Sequence, residues 1–306
     1  MISIEAKDLT KKFGDFTAVN NINLEVRQGE IFGFLGSNGA GKTTTIKMLI
    51  GLLPPTKGSI YVAGIDVIRY PERVKERIGY MSQKFSLYND LTVEENILFY
   101  AGIYGIPPKR AKLIREELLE QFDLQPIRKS LTSEIPLGLK QRLALGIALM
   151  HKPSIVFLDE PTSGTDPISR RYFWKIIQNL AYNGVTCMVT THYLDEAEYC
   201  SRISLIDSGE IIACGTPTEL KKRYFHFPIF EIDFGSIEKN IEVLNKGFDF
   251  GKFSLFGNKL HLALDKIDFD IPDLFSRLNS ILGYNPITVR KIVPTLEDVF
   301  IKLVQR

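Results

Sequence analysis

The stretch Gly36-Ser37-Asn38-Gly39-Ala40-Gly41-Lys42-Thr43 decides how this chain folds. It follows the apolar run IFGFL (31–35) and leads into TTTIKMLIGLL (43–53), whose apolar residues recur at helical spacing until Pro54 and Pro55 stop them. The pattern is G-x-x-x-x-G-K-[ST] between a strand and a helix. Its glycines let the backbone wrap phosphate groups, and the backbone N–H groups and helix N-terminus favour their negative charge. Lys42 is placed to reach β- and γ-phosphates, and the Thr43 hydroxyl to bind Mg²⁺. With Thr44, residues 36–43 form the candidate phosphate-binding set.

Working outward, SIVFLDE (154–160) is a short apolar run ending in Asp159 and Glu160. A strand covered on both faces reads this way, and ligands of open α/β sheets bind at the carboxyl ends of such strands. One carboxylate can hold Mg²⁺ while its neighbour orients or deprotonates a water. The same pair can also be a plain solvated strand end. VTCMVTTH (185–192) is a second buried-strand pattern, and it ends in His192. That histidine either touches a γ-phosphate or is structural. Helical patterns at 107–122, 137–150 and 166–184 alternate with these strands, which predicts a parallel α/β sheet.

In order along the chain come Phe13 after LTKK, the 36–43 loop, Gln83, a helical insertion, the segment 135–139, Asp159-Glu160, SGTD (163–166) and His192. Together with DEPTSG (159–164), THYLDEAE (191–198) and RISLIDSGEIIACGTPTEL (202–220), this order resembles the nucleotide-binding subunit of ABC transporters over about residues 1–220. Within that family the chain looks most like ATPases of multidrug or lipid exporters of the daunorubicin-resistance type, which also end in a segment like PTLEDVF (294–300). The resemblance implies a P-loop NTPase domain of the ABC ATPase type, with an N-terminal antiparallel β part, a parallel core sheet and a helical insertion. It implies ATP and Mg²⁺ as cofactors. It also implies that Phe13 stacks on adenine, the alternative for Phe13 being a core residue of the N-terminal sheet. Gln83 would sense Mg²⁺ and the attacking water, and Asp159 would hold Mg²⁺ through water. Glu160 would be the general base, His192 would support the γ-phosphate, and Asp166 would contact a second subunit or simply cap the following helix.

One segment departs from the family pattern. The usual LSGGQ is replaced by Ile135-Pro136-Leu137-Gly138-Leu139. Pro136 has neither the hydroxyl nor the N–H of the expected serine, yet it fits the first turn of a helix. Leu137 and Gly138 keep their N–H donors, so this anion site is expected to be weakened rather than erased. Each lost hydrogen bond to a charged group costs roughly 1.5–3 kcal/mol. The segment is either a subfamily variant that still closes on ATP or the mark of a slowly hydrolysing subunit that needs a partner ATPase.

The composition changes near residue 224. Eleven of the 20 phenylalanines fall in 224–306, where 10 basic and 11 acidic residues nearly balance. The order there reads strand (226–234), helix (236–245), a hairpin around Gly257-Asn258, helix (272–283), strand (287–292) and a final helix from Pro294. This predicts a small α+β ferredoxin-like domain. The expected domains are therefore 1–223, the ATPase, and 224–306, an accessory or regulatory part that would support a dimer, regulate turnover or touch membrane subunits. His226 and His261 stand alone in sequence and read as structural.

Across the chain, 38 basic residues face 36 acidic ones, with 44% hydrophobic and 24% charged residues. These proportions exclude a disordered, collagen-like or disulfide-scaffold protein, and the near-zero charge argues against nucleic acid as a partner. No run of about 18 apolar residues is present, which predicts no membrane span. Glu5, Lys7 and Asp8 sit where a signal peptide needs an apolar core. Three cysteines (187, 200 and 214) without CxxC spacing predict a reduced, cytosolic protein with no cysteine metal site, and Cys187 reads as a small buried hydrophobe.

The expected function is ATP hydrolysis that powers an exporter. The chain would act as a homodimer, or as a pseudo-dimer with a related ATPase, at the cytoplasmic face of the membrane beside separately encoded permease subunits. Phe85, Leu87 and Tyr88, in QKFSLYNDLTVEEN (83–96), would grip a permease helix or else cap the helical insertion. The competing expectation is a soluble ABC-type ATPase without a transporter. A single cassette, with only 51 residues between Gln83 and Ile135, weakens that alternative.

Overall fold

The structure is a computed structural model and describes residues 1–84, 86–227, 229–235, 240–265 and 269–304. Phe85 and the first part of the helix expected over 236–245 lie outside the described residues.

The chain opens with β1 (Ile2–Phe13) and β2 (Phe16–Arg27), then β3 (Ile31–Leu35), α1 (Lys42–Leu49), β4 (Lys57–Val62), β5 (Ile65–Asp66), α2 (Pro71–Lys75) and β6 (Ile78–Met81). Helices α3 (Val93–Ile103), α4 (Pro108–Gln121) and α5 (Leu137–Leu149) follow. The first unit closes with β7 (Ile155–Asp159), α6 (Pro167–Tyr182), β8 (Thr186–Thr191), β9 (Arg202–Asp207) and β10 (Glu210–Gly215). Two sheets result. The antiparallel one runs β2-β1-β4-β5, and the other runs β10-β9-β3-β8-β7-β6, parallel except at the β10–β9 edge. Strands β3, β7 and β8 are buried along their whole length, in keeping with the apolar run of β3, the apolar residues of β7 before Asp159 and the β-branched and apolar residues of β8. Phe32, Phe34, Phe157 and Met188 from the parallel sheet share one core with Ile46, Met48 and Leu49 of α1 and with Ile4, Leu24, Val26 and Ile60 of the antiparallel sheet. The expected antiparallel part, parallel core and helical insertion are all present.

The helix expected over 43–53 ends early. Helix α1 stops at Leu49, where Ile50 caps it and Gly51 turns the chain at φ 74°. A side chain on Gly51 would be strained in that conformation and would meet Pro71 Cβ at 2.9 Å. The helical insertion is tied by Arg128, whose guanidinium reaches Glu94 of α3 at 2.7 Å and Glu116 of α4 at 3.0 Å. Arg128, and then Arg115, hold the Glu116 carboxyl down at about 2. Thr92 caps α3 reciprocally with Glu95. Tyr88 packs its ring 4.5 Å from that of Phe99 on α3 and exchanges hydrogen bonds with the Asn96 side chain, so it docks on the helical insertion. Cys187 and Cys200 are buried and free, and burial pushes the Cys187 thiol up to about 12.

The second compact unit spans Pro217–Arg306. The division falls seven residues before the expected boundary because α7 (Pro217–Tyr224) packs against the last helix of this unit. The unit continues with β11 (Ile229–Asp233), α8 (Asn240–Gly247), β12 (Gly251–Phe256), β13 (Lys259–Leu264), α9 (Ile271–Leu282), β14 (Thr288–Ile292) and α10 (Leu296–Val304). Its antiparallel order, β12-β13-β11-β14, is that of a ferredoxin-like sheet. Phe230, Ile232, Leu260, Leu262 and Phe253 face Leu244, Phe248, Leu274 and Leu278 across one side of that sheet, which accounts for the local richness in phenylalanine. Among the described residues, no helix is long and apolar enough to cross a membrane.

Candidate active site

Four neighbouring parallel strands, β3, β8, β7 and β6, end on the same side of their sheet, and each delivers one part of the site. The 36–41 loop follows β3. It passes into α1 through Gly41, whose φ of 105° suits glycine and whose Cβ, if present, would stand 2.6 Å from the Ala18 carbonyl oxygen. Helix α1 has no side-chain cap and no acidic residue in its first turn. Its leading N–H groups therefore lack internal acceptors and are arranged to receive an anion.

Lys42 is the first residue of α1, and its side chain is only 4% exposed. Its ammonium donates to the carbonyls of Gly36 (2.8 Å) and Ser37 (3.0 Å) and lies 3.3 Å from Glu160 Oε1. Glu160 follows β7 in a left-handed turn at φ 49°, which is uncommon for a residue with a side chain. Its N–H holds that turn by donating to the Thr190 carbonyl at 3.1 Å and to Thr190 Oγ1 at 3.0 Å. Glu160 Oε2 accepts from Gln83 Nε2 at 2.9 Å. His192 Nδ1 sits 3.2 Å from the same oxygen but outside hydrogen-bonding geometry, so the ring is in ionic range without a hydrogen bond. The structure thus brings Lys42, Gln83, Glu160 and His192 together on one carboxylate.

Asp159 is buried beside this group. Its Oδ1 accepts from Thr190 Oγ1 (2.7 Å) and Thr43 Oγ1 (3.2 Å), while its buried Oδ2 has no partner among the described residues. Burial pushes the Asp159 carboxyl above the ordinary carboxylate value, against the pull of those two hydroxyls. A free carboxylate oxygen beside the Thr43 hydroxyl fits a hydrated divalent cation, whose charge would favour the ionised form. Burial, and secondarily the Asp159 charge, push the neighbouring Tyr80 phenol up to about 12.

The cleft over this floor holds about 360 Å³ and is lined by Asn38, Gly39, Gly41, Lys42, Thr43, Thr44, Gln83 and Glu160, with Phe13, Phe16 and Ala18 at its side. Phe13 is 50% exposed, so it is not a core residue of the antiparallel sheet. Phe16 was missed in the sequence. It is the cross-strand partner of Phe13 over the two-residue turn Gly14-Asp15, so both rings flank the same cleft. The pair FxxF around a Gly-containing turn was the available signal. A second omission is Glu196, which is fully buried and accepts from Thr162 Oγ1 (2.6 Å) and Thr191 Oγ1 (2.8 Å), with Arg170 Nε 3.4 Å away. It ties the DEPTSG loop to the residue preceding His192.

Pro136, Leu137, Gly138 and Asp166 do not line this cleft. Pro136 sits at the N-cap of α5 rather than within its first turn, and provides no side-chain cap. A Cβ on Gly138 would lie 2.7 Å from Ser169 Oγ, so this helix start packs closely on α6. Asp166 caps α6, accepting from the N–H groups of Ile168 (3.0 Å) and Ser169 (2.9 Å). Bonds from the Ser169 side chain, then its backbone, hold the Asp166 carboxyl below its usual value.

The profile of the ABC transporter family matches residues 19–163. The chain is 54% identical over 218 residues to the probable multidrug ABC transporter ATP-binding protein YbhF of Escherichia coli, covering 71% of this chain and 38% of that one. It is 35% identical over 306 residues to the bacitracin transport ATP-binding protein BcrA of Bacillus licheniformis, covering 98% of this chain and 97% of that one. A solved dimeric ATP-binding cassette bound to ADP and Pi, in a post-hydrolysis state, superposes with a TM-score of 0.64 at 25% identity, over 70% of this chain and 98% of that one. The fold, the order of the motifs and these likenesses agree, and the chain belongs to the ATP-binding proteins of ABC transporters, a family of ATPases.

Proposed function

We propose that this chain binds ATP with Mg²⁺ in the cleft of its first unit, hydrolyses it, and so powers export of an amphipathic cargo such as a drug or lipid through membrane permease subunits. One observation carries the reading: Glu160 lies at the floor of a phosphate-binding loop, buried and held by Lys42 and Gln83. A carboxylate in that place accepts a proton from a water attacking the γ-phosphate. Lys42 and the N–H groups at the start of α1 receive the phosphates, while Phe13 and Phe16 offer faces to the adenine. Thr43 and Asp159 would hold Mg²⁺, and Gln83 would lie beside it. The metal would neutralise charge on the phosphates. His192 would stand over the γ-phosphate.

The start of α5 and the Asp166 loop lie outside the cleft of their own chain. This arrangement supports a reading in which a second copy, or a related ATPase, presents Pro136, Leu137, Gly138 and Asp166 to the nucleotide. ATP would then close the dimer and hydrolysis would reopen it. The names of the relatives, multidrug ABC transporter and bacitracin transport, support transport as the process, and the proposal places the chain at the cytoplasmic membrane face.

Pro136 favours a second reading, in which turnover by the homodimer is slow. The N-cap of α5 lacks a hydroxyl, leaving only backbone donors of Leu137 and Gly138. Mg²⁺-dependent phosphate release from the purified chain, alone and with a co-expressed permease, tests both. Brisk turnover alone removes the second reading, and no turnover under either condition removes the first.

A further inference from the structure

We propose that the second unit holds a binding site for a small aromatic acid carrying a ring hydroxyl, seated between its sheet and α10. A cavity of about 180 Å³ lies there, within residues 225–302. A void of about 150 Å³ accepts benzene, so the space suits one substituted ring. Phe225, Ile229, Phe253, Ala263 and Ile301 give it apolar walls.

The polar groups on its lining set the chemistry. His261 lines the cavity and is 2% exposed. Its Nδ1 lies 2.7 Å from Asp298 Oδ1, and Asp298 Oδ2 already accepts from the N–H and the hydroxyl of Thr295, both at 2.7 Å. Asp298 is an acceptor throughout, so Nδ1 carries a proton and Nε2 is the ring nitrogen left for another partner. That Nε2 is buried with no partner among the described residues. Phe256 stacks on the imidazole, with centroids 4.2 Å apart and the planes 9° from parallel, which fixes the ring. A buried ring nitrogen held in place without a partner among the described residues calls for a hydroxyl, which can donate or accept.

The rim supplies the second specification. Lys302 is committed to Asp265 at 3.2 Å and covers the Phe225 ring at 4.9 Å. Lys252 is exposed at the rim and has no ion pair among the described residues. Among the described residues Lys252 is thus a rim cation without an ion-pair partner, which matches a carboxylate. An apolar body, a hydroxyl for His261 and a carboxylate for Lys252 together describe a hydroxylated aromatic acid.

Calorimetric titration of the full chain with 4-hydroxybenzoate, benzoate and phenol tests the site. The inference expects saturable binding of 4-hydroxybenzoate at millimolar concentrations, and binding of benzoate and phenol weaker by about fivefold or more. Lys252→Met should remove the preference for the acid over phenol. Ala263→Leu, which fills the cavity with an apolar group, should abolish binding while the melting profile shows that the unit is still folded. Absence of saturable 4-hydroxybenzoate binding to the unmodified chain overturns the inference, as does undiminished binding to a folded Ala263→Leu variant.

Discussion

Lys42 Nζ and Glu160 Oε1 stand 3.3 Å apart in a buried ion pair, with the side chains 4% and 7% exposed. The same ammonium also holds two carbonyls of the phosphate-binding loop. Three acceptors therefore share the cation that a triphosphate would claim. In the proposed site, phosphate binding and release of the Glu160 carboxylate would thus be linked through one side chain.

Removing one partner of a buried pair strands the other charge, at a cost of about 3–5 kcal/mol. Lys42→Ala should therefore lower unfolding stability by about 3 kcal/mol, as well as weaken ATP binding by at least about tenfold. Adding Glu160→Gln should recover much of the stability and none of the binding. Denaturant unfolding of the single and double variants gives the coupling directly.

The two aromatics predict a separable effect on the base. Stacking on an aromatic side chain is worth about 1–3 kcal/mol per base. Phe16→Ala should weaken ATP by about fivefold or more and leave inorganic triphosphate unchanged. Competition titration with both ligands measures the difference, and equal losses would remove Phe16 from the adenine site.

What the sequence revealed follows from what is local. The loop 36–43 and the runs before Glu160 and His192 are contiguous patterns, so strand, turn and charged end could be read from neighbouring residues. The ferredoxin-like order of the second unit was legible for the same reason, from alternation, helical spacing and the Gly257-Asn258 turn. Phe16 escaped because its role depends on pairing with Phe13 across a hairpin. Glu196 escaped because an acidic residue in THYLDEAE reads as solvated until Thr162 and Thr191 are brought to it from two strand ends. The link between His261 and Asp298 joins β13 to α10, and nothing in the spacing of 37 residues signals it. The expected boundary at 224 and the compact-unit division at Pro217 differ because the packing of α7 on α10 leaves no mark in composition.

Glu196 predicts a conformational effect at His192. Glu196→Ala leaves two buried threonine hydroxyls without their acceptor, at a cost of about 1–3 kcal/mol each. The melting temperature should fall, and ATP turnover should fall more than ATP affinity, because Thr191 precedes His192 while the phosphate loop is untouched. Parallel measurements of affinity and turnover check this split.

Asp298 predicts an acid limit for the second unit. Burial pushes its carboxyl up, but the hydrogen bonds from His261 and Thr295 outweigh this and leave the folded value below the ordinary one. A depressed carboxyl contributes stability above its unfolded value, near 3.8, and that contribution is lost as pH falls through the folded value. Hydrogen exchange in α10 and β13 should therefore accelerate below about pH 4. Asp298→Asn should show fast exchange already at neutral pH.

The central claim is that Glu160 is the base of an ATP-hydrolysing site. Its most direct test is Glu160→Gln, with ATP affinity, steady-state phosphate release and mass in solution measured on one preparation. The account predicts ATP affinity close to that of the unmodified chain, turnover lower by at least about a hundredfold, and an ATP-dependent dimer that persists. A variant that hydrolyses ATP at the unmodified rate would contradict it.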